Sequence, residues 1–266
     1  MKKYLRRPFQ EPDYEINSNC QDFFDLLSLQ YGSYIIESEC ENPHRISVLK
    51  KDNDNYLFEH SDVSFVTKDP FQIFYDLLFN MTVYDDSVIP LHGAAVEYNG
   101  RAYIFLASAM TGKTTLTVYL INSGFSYITE DCVLIDKQTF TVYPYNCPIH
   151  LRVGGFEIIK QHGIAIHDIK LFDTPDNIRY VYMPSRYIKT SIPLGGIFFI
   201  TRSEAENSIT DMSASESIIE LMKSSITIYN PTAEHIKQLS QLSRINCKRL
   251  IYRDMEYVKD IIIRGF

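Results

Sequence analysis

Apolar residues recur along the chain with two periods, and the switches between them mark its elements. Asp22 to Leu29 is apolar at helical spacing. Phe71 to Met81 repeats the pattern, with Phe71, Phe74, Leu77, Leu78 and Met81 on one face. Asp69 and Pro70 stand before it as N-cap and first helical residue. Tyr34 to Ile36 and Ile46 to Leu49 read as strands. Asp52-Asn53-Asp54-Asn55 lies between two apolar runs, the signature of a hairpin. Residues 1–85 therefore predict a small α+β unit.

From Ser87 the texture changes. Val88 to Tyr98 reads as one strand, Asn99-Gly100 as a tight turn, and Arg101 to Ala107 as the next strand. A Gly-Lys-Thr turn opens a helix from about Thr114 to Asn122, and Gly124 is placed to end it in the left-handed conformation. Strands at 125–129 and 133–136 follow, then a helical stretch near Gly155 to His162. Asp168 to Asn177 reads as a surface loop before a strand at Ile178 to Met183. A strand at Gly196 to Thr201, helices at 214–223 and 233–245, a last strand and a short helix complete the chain. Residues 86–266 thus predict a second unit of strand–loop–helix–strand, nucleotide-binding texture, and the fold class is α/β.

Composition narrows what these units can do. The 266 residues are 45% hydrophobic, enough to bury a core without disulfides. The net charge of −7 argues against a nucleic-acid binder. No apolar run approaches the roughly 18 residues of a membrane span. The basic start, Met1 to Pro8, leads into no apolar signal region. The expectation is a cytoplasmic protein with no membrane and no nucleic-acid partner. The five cysteines are scattered and lack CxxC spacing, so free thiols are expected. His150, His162 and His167 make no metal-ligand pattern. Residues 232–266 hold seven Lys/Arg against four Asp/Glu; they read as a solvated helical face or as a docking surface for an acidic peptide.

The chemistry concentrates at Ala107-Ser-Ala-Met-Thr-Gly-Lys-Thr114. The phosphate-loop pattern GxxxxGK[ST] fits at Gly112, Lys113 and Thr114, with Ala107 where the first glycine belongs. In such a loop, Ala109, Met110, Thr111, Gly112, Lys113, Thr114 and Thr115 would surround a nucleotide's phosphates. Backbone N–H groups would close on the oxygens, Lys113 would supply a point charge, and the Thr114 hydroxyl would hold magnesium. Met110 is bulky for such a loop. His92-Gly93 precedes Lys113 by about twenty residues, and Glu130-Asp131 closes the strand after the helix. In a parallel sheet these groups would gather at one edge, where a carboxylate can hold magnesium or take a proton from an attacking hydroxyl. Arg152 follows an apolar run and could reach phosphates or a peptide carboxylate. Arg186 and Arg202 are weaker candidates of the same kind.

His-Gly, about twenty residues, a phosphate loop, a helix ending in Gly, and a strand closing in two acidic residues resemble HPr kinase/phosphorylase. The resemblance covers about residues 88–155. It implies a P-loop domain related to phosphoenolpyruvate carboxykinase, following the smaller N-terminal α+β unit that the pattern gives for residues 1–85. It also implies ATP and Mg2+ as cofactors. Lys113 would bind phosphates and Thr114 magnesium; Glu130 and Asp131 would share base and metal duties; His92 would stand beside them. The segments Leu91 to Gly100, Gly112 to Thr115, Thr129 to Leu134 and Pro148 to Arg152 look more particularly like HPr-kinase-like tailoring enzymes of ribosomal peptides. The lasso peptide kinases, which phosphorylate a C-terminal serine of their precursor, are the best-defined members. The resemblance is compatible with a homo-oligomer. Three functions stay open: a peptide-serine kinase, a kinase of a small-molecule hydroxyl such as free serine, and a nucleotide-binding regulator without catalysis.

Overall fold

The computed structural model describes residues 1–6, 13–83, 87–174, 177–226 and 232–266. The chain divides into two compact units, Met1–Asp85 with Leu171–Arg179, and Asp86–Lys170 with Tyr180–Phe266.

In the first unit the chain runs through β1 (Lys2–Leu5), β2 (Tyr14–Ser18), α1 (Gln21–Tyr31), β3 (Ile35–Ile36), β4 (His44–Lys50), β5 (Tyr56–His60), β6 (Val63–Thr67) and α2 (Pro70–Val83). The six strands form one sheet in the order β3-β1-β2-β4-β5-β6. β4 and β5 are the antiparallel hairpin expected around the polar turn. α1 buries Phe23, Phe24, Leu27 and Tyr31, the face its spacing predicts. Phe23 stacks on Phe74 of α2 at 5.7 Å, and the Tyr31 hydroxyl donates to the Phe74 carbonyl at 2.9 Å. Asp69 caps α2, its Oδ1 accepting from the Phe71 N–H at 2.9 Å. Phe71, Phe74 and Leu77 are buried. Leu78 and Met81, expected on the same face, lie outside the residues whose side chains are described.

The second unit begins with β7 (Val88–Leu91), β8 (Gly93–Tyr98), β9 (Arg101–Leu106), α3 (Lys113–Asn122), β10 (Ser126–Thr129), β11 (Val133–Asp136), β12 (Thr141–Tyr143), β13 (Ile149–Arg152) and α4 (Val153–Gln161). β14 (Lys170–Thr174) and β15 (Asn177–Tyr182) follow, with Leu171–Arg179 belonging to the first unit. The expected surface loop at Asp168 to Asn177 is thus largely strand; its residues 175 and 176 lie outside the described ones. β16 (Ile192–Arg202), β17 (Ser208–Asp211), α5 (Ala214–Ser224), α6 (Ala233–Leu242), β18 (Cys247–Tyr252) and α7 (Met255–Arg264) end the chain.

The main sheet has the order β10-β8-β9-β16-β12-β11-β7, with β18 against β16 and β17 against β18. It is mixed rather than parallel: among the described residues its parallel pairs are β9 with β16 and β16 with β18, while β8 is antiparallel to β9 and β10 antiparallel to β8. β9 reads as an unbroken apolar run because both faces of the sheet are covered. Ile104 and Leu106 pack with Leu221 of α5 and Leu239 and Leu242 of α6. Tyr103 and Phe105, on the other face, pack with Leu116 and Leu120 of α3 and Val258 and Ile262 of α7. The stretch expected as one strand from Val88 to Tyr98 is two. β7 pairs with β11, β8 pairs with β9 and β10, and His92 stands at the break. The strand bends there because the His92 N–H leaves the ladder and donates to the carbonyl of Ser224, at the end of α5, at 2.6 Å.

Among the described residues no helix is long and apolar enough to cross a membrane. All five cysteines are free.

Candidate active site

Strand direction brings the candidate residues together. β8 runs antiparallel to β9, so the start of β8 lies beside the end of β9, with Gly93 opposite Leu106. β10 is antiparallel to β8 and therefore shares the direction of β9, and Thr129 at its end pairs with Ala95. The loop after β9, the residues after β10 and the residue before β8 consequently emerge at the same edge. A mixed sheet achieves the gathering that the sequence predicts from a parallel one.

Gly93 makes the edge this tight. A Cβ there would stand 2.5 Å from Leu106 Cδ2 and 2.9 Å from the Phe105 carbonyl oxygen. Glycine alone leaves room for the backbone of β9.

The loop from Ala107 to Gly112 joins β9 to α3. Gly112 has φ of 95°, the left-handed region in which a side chain is strained. A Cβ on it would also meet the Tyr252 hydroxyl at 3.1 Å, so the loop is closed from behind by β18. Met110 is the loop's second left-handed residue, with φ of 62°. Its side chain is 86% exposed and points out of the loop, which removes the steric objection to its bulk. Ser108 and Ala109 are exposed as well, and the Thr111 hydroxyl donates to the Ser108 carbonyl.

Lys113 is the first residue of α3 and is buried. Its ammonium folds back on the loop, donating to the carbonyls of Ala107 at 2.8 Å and Ser108 at 3.1 Å. Burial lowers its pKa, and the charges of Asp131 and Glu130 oppose that shift. The loop's own carbonyls thus hold the ammonium against the loop.

Thr114 follows on α3, and its hydroxyl donates to Glu130 Oε1. Glu130 is buried, and the loss of water together with the neighbouring charge of Asp131 pushes its pKa up to about 8. The Thr114 hydroxyl, the His150 backbone N–H and Lys113 pull the other way. Two buried tyrosines, Tyr127 and Tyr182, lie within electrostatic range of Glu130 and are themselves raised, by burial first. Asp131 turns the chain sharply between β10 and β11, with φ of 67°. Its carbonyl is 3.1 Å from His92 Nδ1, so histidine and acidic pair are directly joined.

Arg152 is placed differently. It is exposed at the N-terminus of α4, which packs on α3 where Gly155 faces the Thr115 hydroxyl. Among the described residues no hydrogen bond or ion pair joins Arg152 to the loop or to the acidic pair. Arg186 donates to Ser126 Oγ at 3.0 Å, at the start of β10 and so away from the acidic end. Arg202 lines a cavity of about 180 Å³ with Gly112, Thr115, Tyr119, Tyr252 and Arg253, against the first turns of α3.

A larger cavity, about 560 Å³, lies at the other end of the loop. Ala107, Ser108 and Ala109 form one side, His92 and Ser224 line it further, and Lys223 and Arg249 bring the cations. Neither cavity, nor the residues Tyr252, Lys223, Ser224 and Arg249, is foreseeable from local sequence. Arg249 and Tyr252 arrive through the pairing of β9 with β16 and of β16 with β18, and Lys223 and Ser224 through α5, whose last carbonyl accepts from the His92 N–H.

Whether the residues fit a magnesium ion can be judged from their donors. Among the described residues no cluster of three or more His, Cys, Asp or Glu side chains could cage a metal. One hydroxyl and one carboxylate oxygen in contact, with a second carboxylate next in sequence, is the partial oxygen shell that magnesium takes when phosphates and water complete it. The residues fit.

No model of a known protein family matches the chain, and no curated protein matches it. Among solved structures it is similar to the Hpr(Ser) kinase/phosphatase from Coxiella burnetii. The identity is 9% and the TM-score 0.32, over 66% of this chain and 94% of that one.

Proposed function

We propose that the second unit is an ATP- and magnesium-dependent phosphotransferase acting on a hydroxyl acceptor. In the reading that the motif resemblance favours, the acceptor is a peptide serine, the C-terminal serine of a lasso-type precursor. The contact between the Thr114 hydroxyl and the Glu130 carboxylate carries this reading. It sets a metal-holding pair against a lysine held by the loop's own carbonyls, at the N-terminus of a helix whose dipole favours anions.

Each residue then has a task. Backbone N–H groups from Ala109 to Thr115 close on phosphate oxygens, and Lys113 neutralises charge on the transferred group. Thr114 and Glu130 would hold magnesium, which would supply neutralisation of phosphate charge when bound. Asp131 accepts the proton of the attacking hydroxyl, and His92, on its carbonyl, orients that turn. In this reading the cavity at Gly112, Thr115 and Tyr252 takes the nucleoside end.

Phosphotransfer from ATP with magnesium to a precursor peptide ending in serine, to HPr and to free serine tests the proposal by mass spectrometry. A gain of one phosphate, about 80 Da, on any acceptor supports it. Lys113→Ala is expected to lower that transfer at least a thousandfold. Undiminished transfer in Lys113→Ala overturns the role of the loop. ATP binding without transfer to any acceptor turns the reading to a nucleotide-binding regulator.

A further inference from the structure

The sheet of the first unit ends at β6, and nothing in the strand protects that edge. β6 pairs with β5 along one side, and among the described residues no strand pairs with its other side. Proteins usually blunt such an edge with a proline, a charge within the strand or a bulge. Val63-Ser64-Phe65-Val66-Thr67 has no proline and no charge, and its register with β5 is unbroken. Val63 and Val66 are 45% and 61% exposed. Phe65 stacks on Phe58 of β5 at 4.8 Å and is only half-buried.

The outward backbone groups limit how a strand can join this edge. Ser61-Asp62 is the two-residue turn between β5 and β6, so the flanking pair, His60 and Val63, exchanges backbone bonds. Alternation then turns Phe65 and Thr67 towards β5 and leaves the N–H and C=O of Ser64 and Val66 outward. Opposite charges flank the strand. Asp62 stands three residues before Phe65 and Lys68 three residues after it, and both are exposed. Among the described residues neither takes part in an ion pair or a side-chain hydrogen bond. We propose that β6 seats a symmetric dimer, in which a second copy of this chain lies antiparallel along it, centred on Phe65. Ser64 then meets Val66 of the second copy as a hydrogen-bonded pair, and Asp62 meets Lys68 of the second copy on both sides of the two-fold axis. The two Phe65 side chains fall opposite each other as the close, non-hydrogen-bonded pair, an aromatic cross-strand contact. Moving the centre to Ser64 or to Val66 keeps the backbone bonds but sets Asp62 against Val66 or Pro70, so the charges select one register. The interface is isologous and closes with two subunits. Nothing in it depends on the phosphotransferase reading.

Analytical ultracentrifugation of the full chain over a range of concentrations tests the dimer. The unaltered chain is expected to reach twice its 30.9 kDa by about 100 μM. Val66→Pro removes an outward N–H that β5 does not use, and is expected to weaken dimerisation at least tenfold. Asp62→Lys and Lys68→Asp each set like charges opposite one another, and each is expected to weaken it about tenfold. An equimolar mixture of these two variants restores both opposite-charge pairs. It is expected to form a mixed dimer within about threefold of the unaltered affinity. Because Asp62 and Lys68 are exposed, the mixture carries the test even if Val66→Pro misfolds. A chain that stays monomeric at the highest concentration, a dimer that the charge substitutions leave intact, or a mixture no tighter than its components overturns the proposal.

Discussion

Glu130 joins three facts at one atom pair: burial, a hydroxyl donor and a neighbouring carboxylate. Its pKa is raised in the folded chain to about 8, while the unfolded chain releases the proton near 4.5. Between those values the folded state binds the extra proton, so stability falls as pH rises through the window. Without nucleotide or metal, the urea midpoint is expected to be higher at pH 5 than at pH 8. Glu130→Gln, which stays neutral, should flatten this dependence, and an unchanged slope in the variant would assign the effect elsewhere. Met110 makes the opposite prediction. Its side chain lies in solvent, so Met110→Ala should change thermal stability by no more than about 0.5 kcal/mol and leave phosphotransfer intact. A large loss of either would mean that the side chain turns inward when phosphates bind. Both the loop and the acidic pair are legible in the sequence because local spacing and residue type define them. The outward turn of Met110 is not, since it depends on a left-handed backbone that no neighbouring residue announces.

At the scale of elements, the break at His92 decides the geometry. Periodicity runs smoothly from Val88 to Tyr98 because both halves are buried strands, and nothing local separates them. What separates them is the pull of Ser224 on the His92 N–H and the close approach of β9 at Gly93. Gly93→Ala forces a methyl group against backbone and is expected to cost about 1 to 3 kcal/mol in denaturant unfolding. It should also displace His92 from Asp131 and lower phosphotransfer. A variant of normal stability and activity would show that β8 shifts freely against β9. Helices were easier to anticipate than strands. α2, α3, α5 and α7 carry caps, glycine stops or clear apolar stripes, whereas β1, β2, β6, β12, β14 and β17 are short strands that leave a weak two-residue period. The arginines show the same limit: Arg152 and Arg202 look alike in sequence, but Arg202 lines the cavity beside Gly112, whereas Arg152 is exposed at the start of α4.

At the scale of the whole molecule, the basic surplus of residues 232–266 is largely engaged. Lys237, Lys248, Arg249, Arg253, Lys259 and Arg264 each form an ion pair with a nearby carboxylate, which favours the solvated-face reading of that stretch. The first unit has its own distant contributor. Arg179 is buried, 3.6 Å from Asp69, bonded to the Tyr75 hydroxyl at 3.0 Å and 5.0 Å from the Phe71 ring centre, and Phe172 meets Phe71 edge-on at 5.5 Å. A fragment of residues 1–85 therefore lacks part of its own core. It is expected to melt lower than a version to which 171–179 is rejoined through a flexible linker. Equal melting of the two would make the segment dispensable.

That borrowed segment also sets an order of events during synthesis. When residue 85 leaves the ribosome, the first unit is still missing Phe172 and Arg179. The loop from Ala107 to Gly112 and the acidic pair emerge before them, so part of the second unit is already outside while the first waits for its last pieces. A pause or a stalled chain anywhere between residues 85 and 171 would leave the Phe71 ring without its contact to Phe172 and the Asp69 carboxylate without Arg179, a lengthened exposure of apolar surface for chaperones to bind.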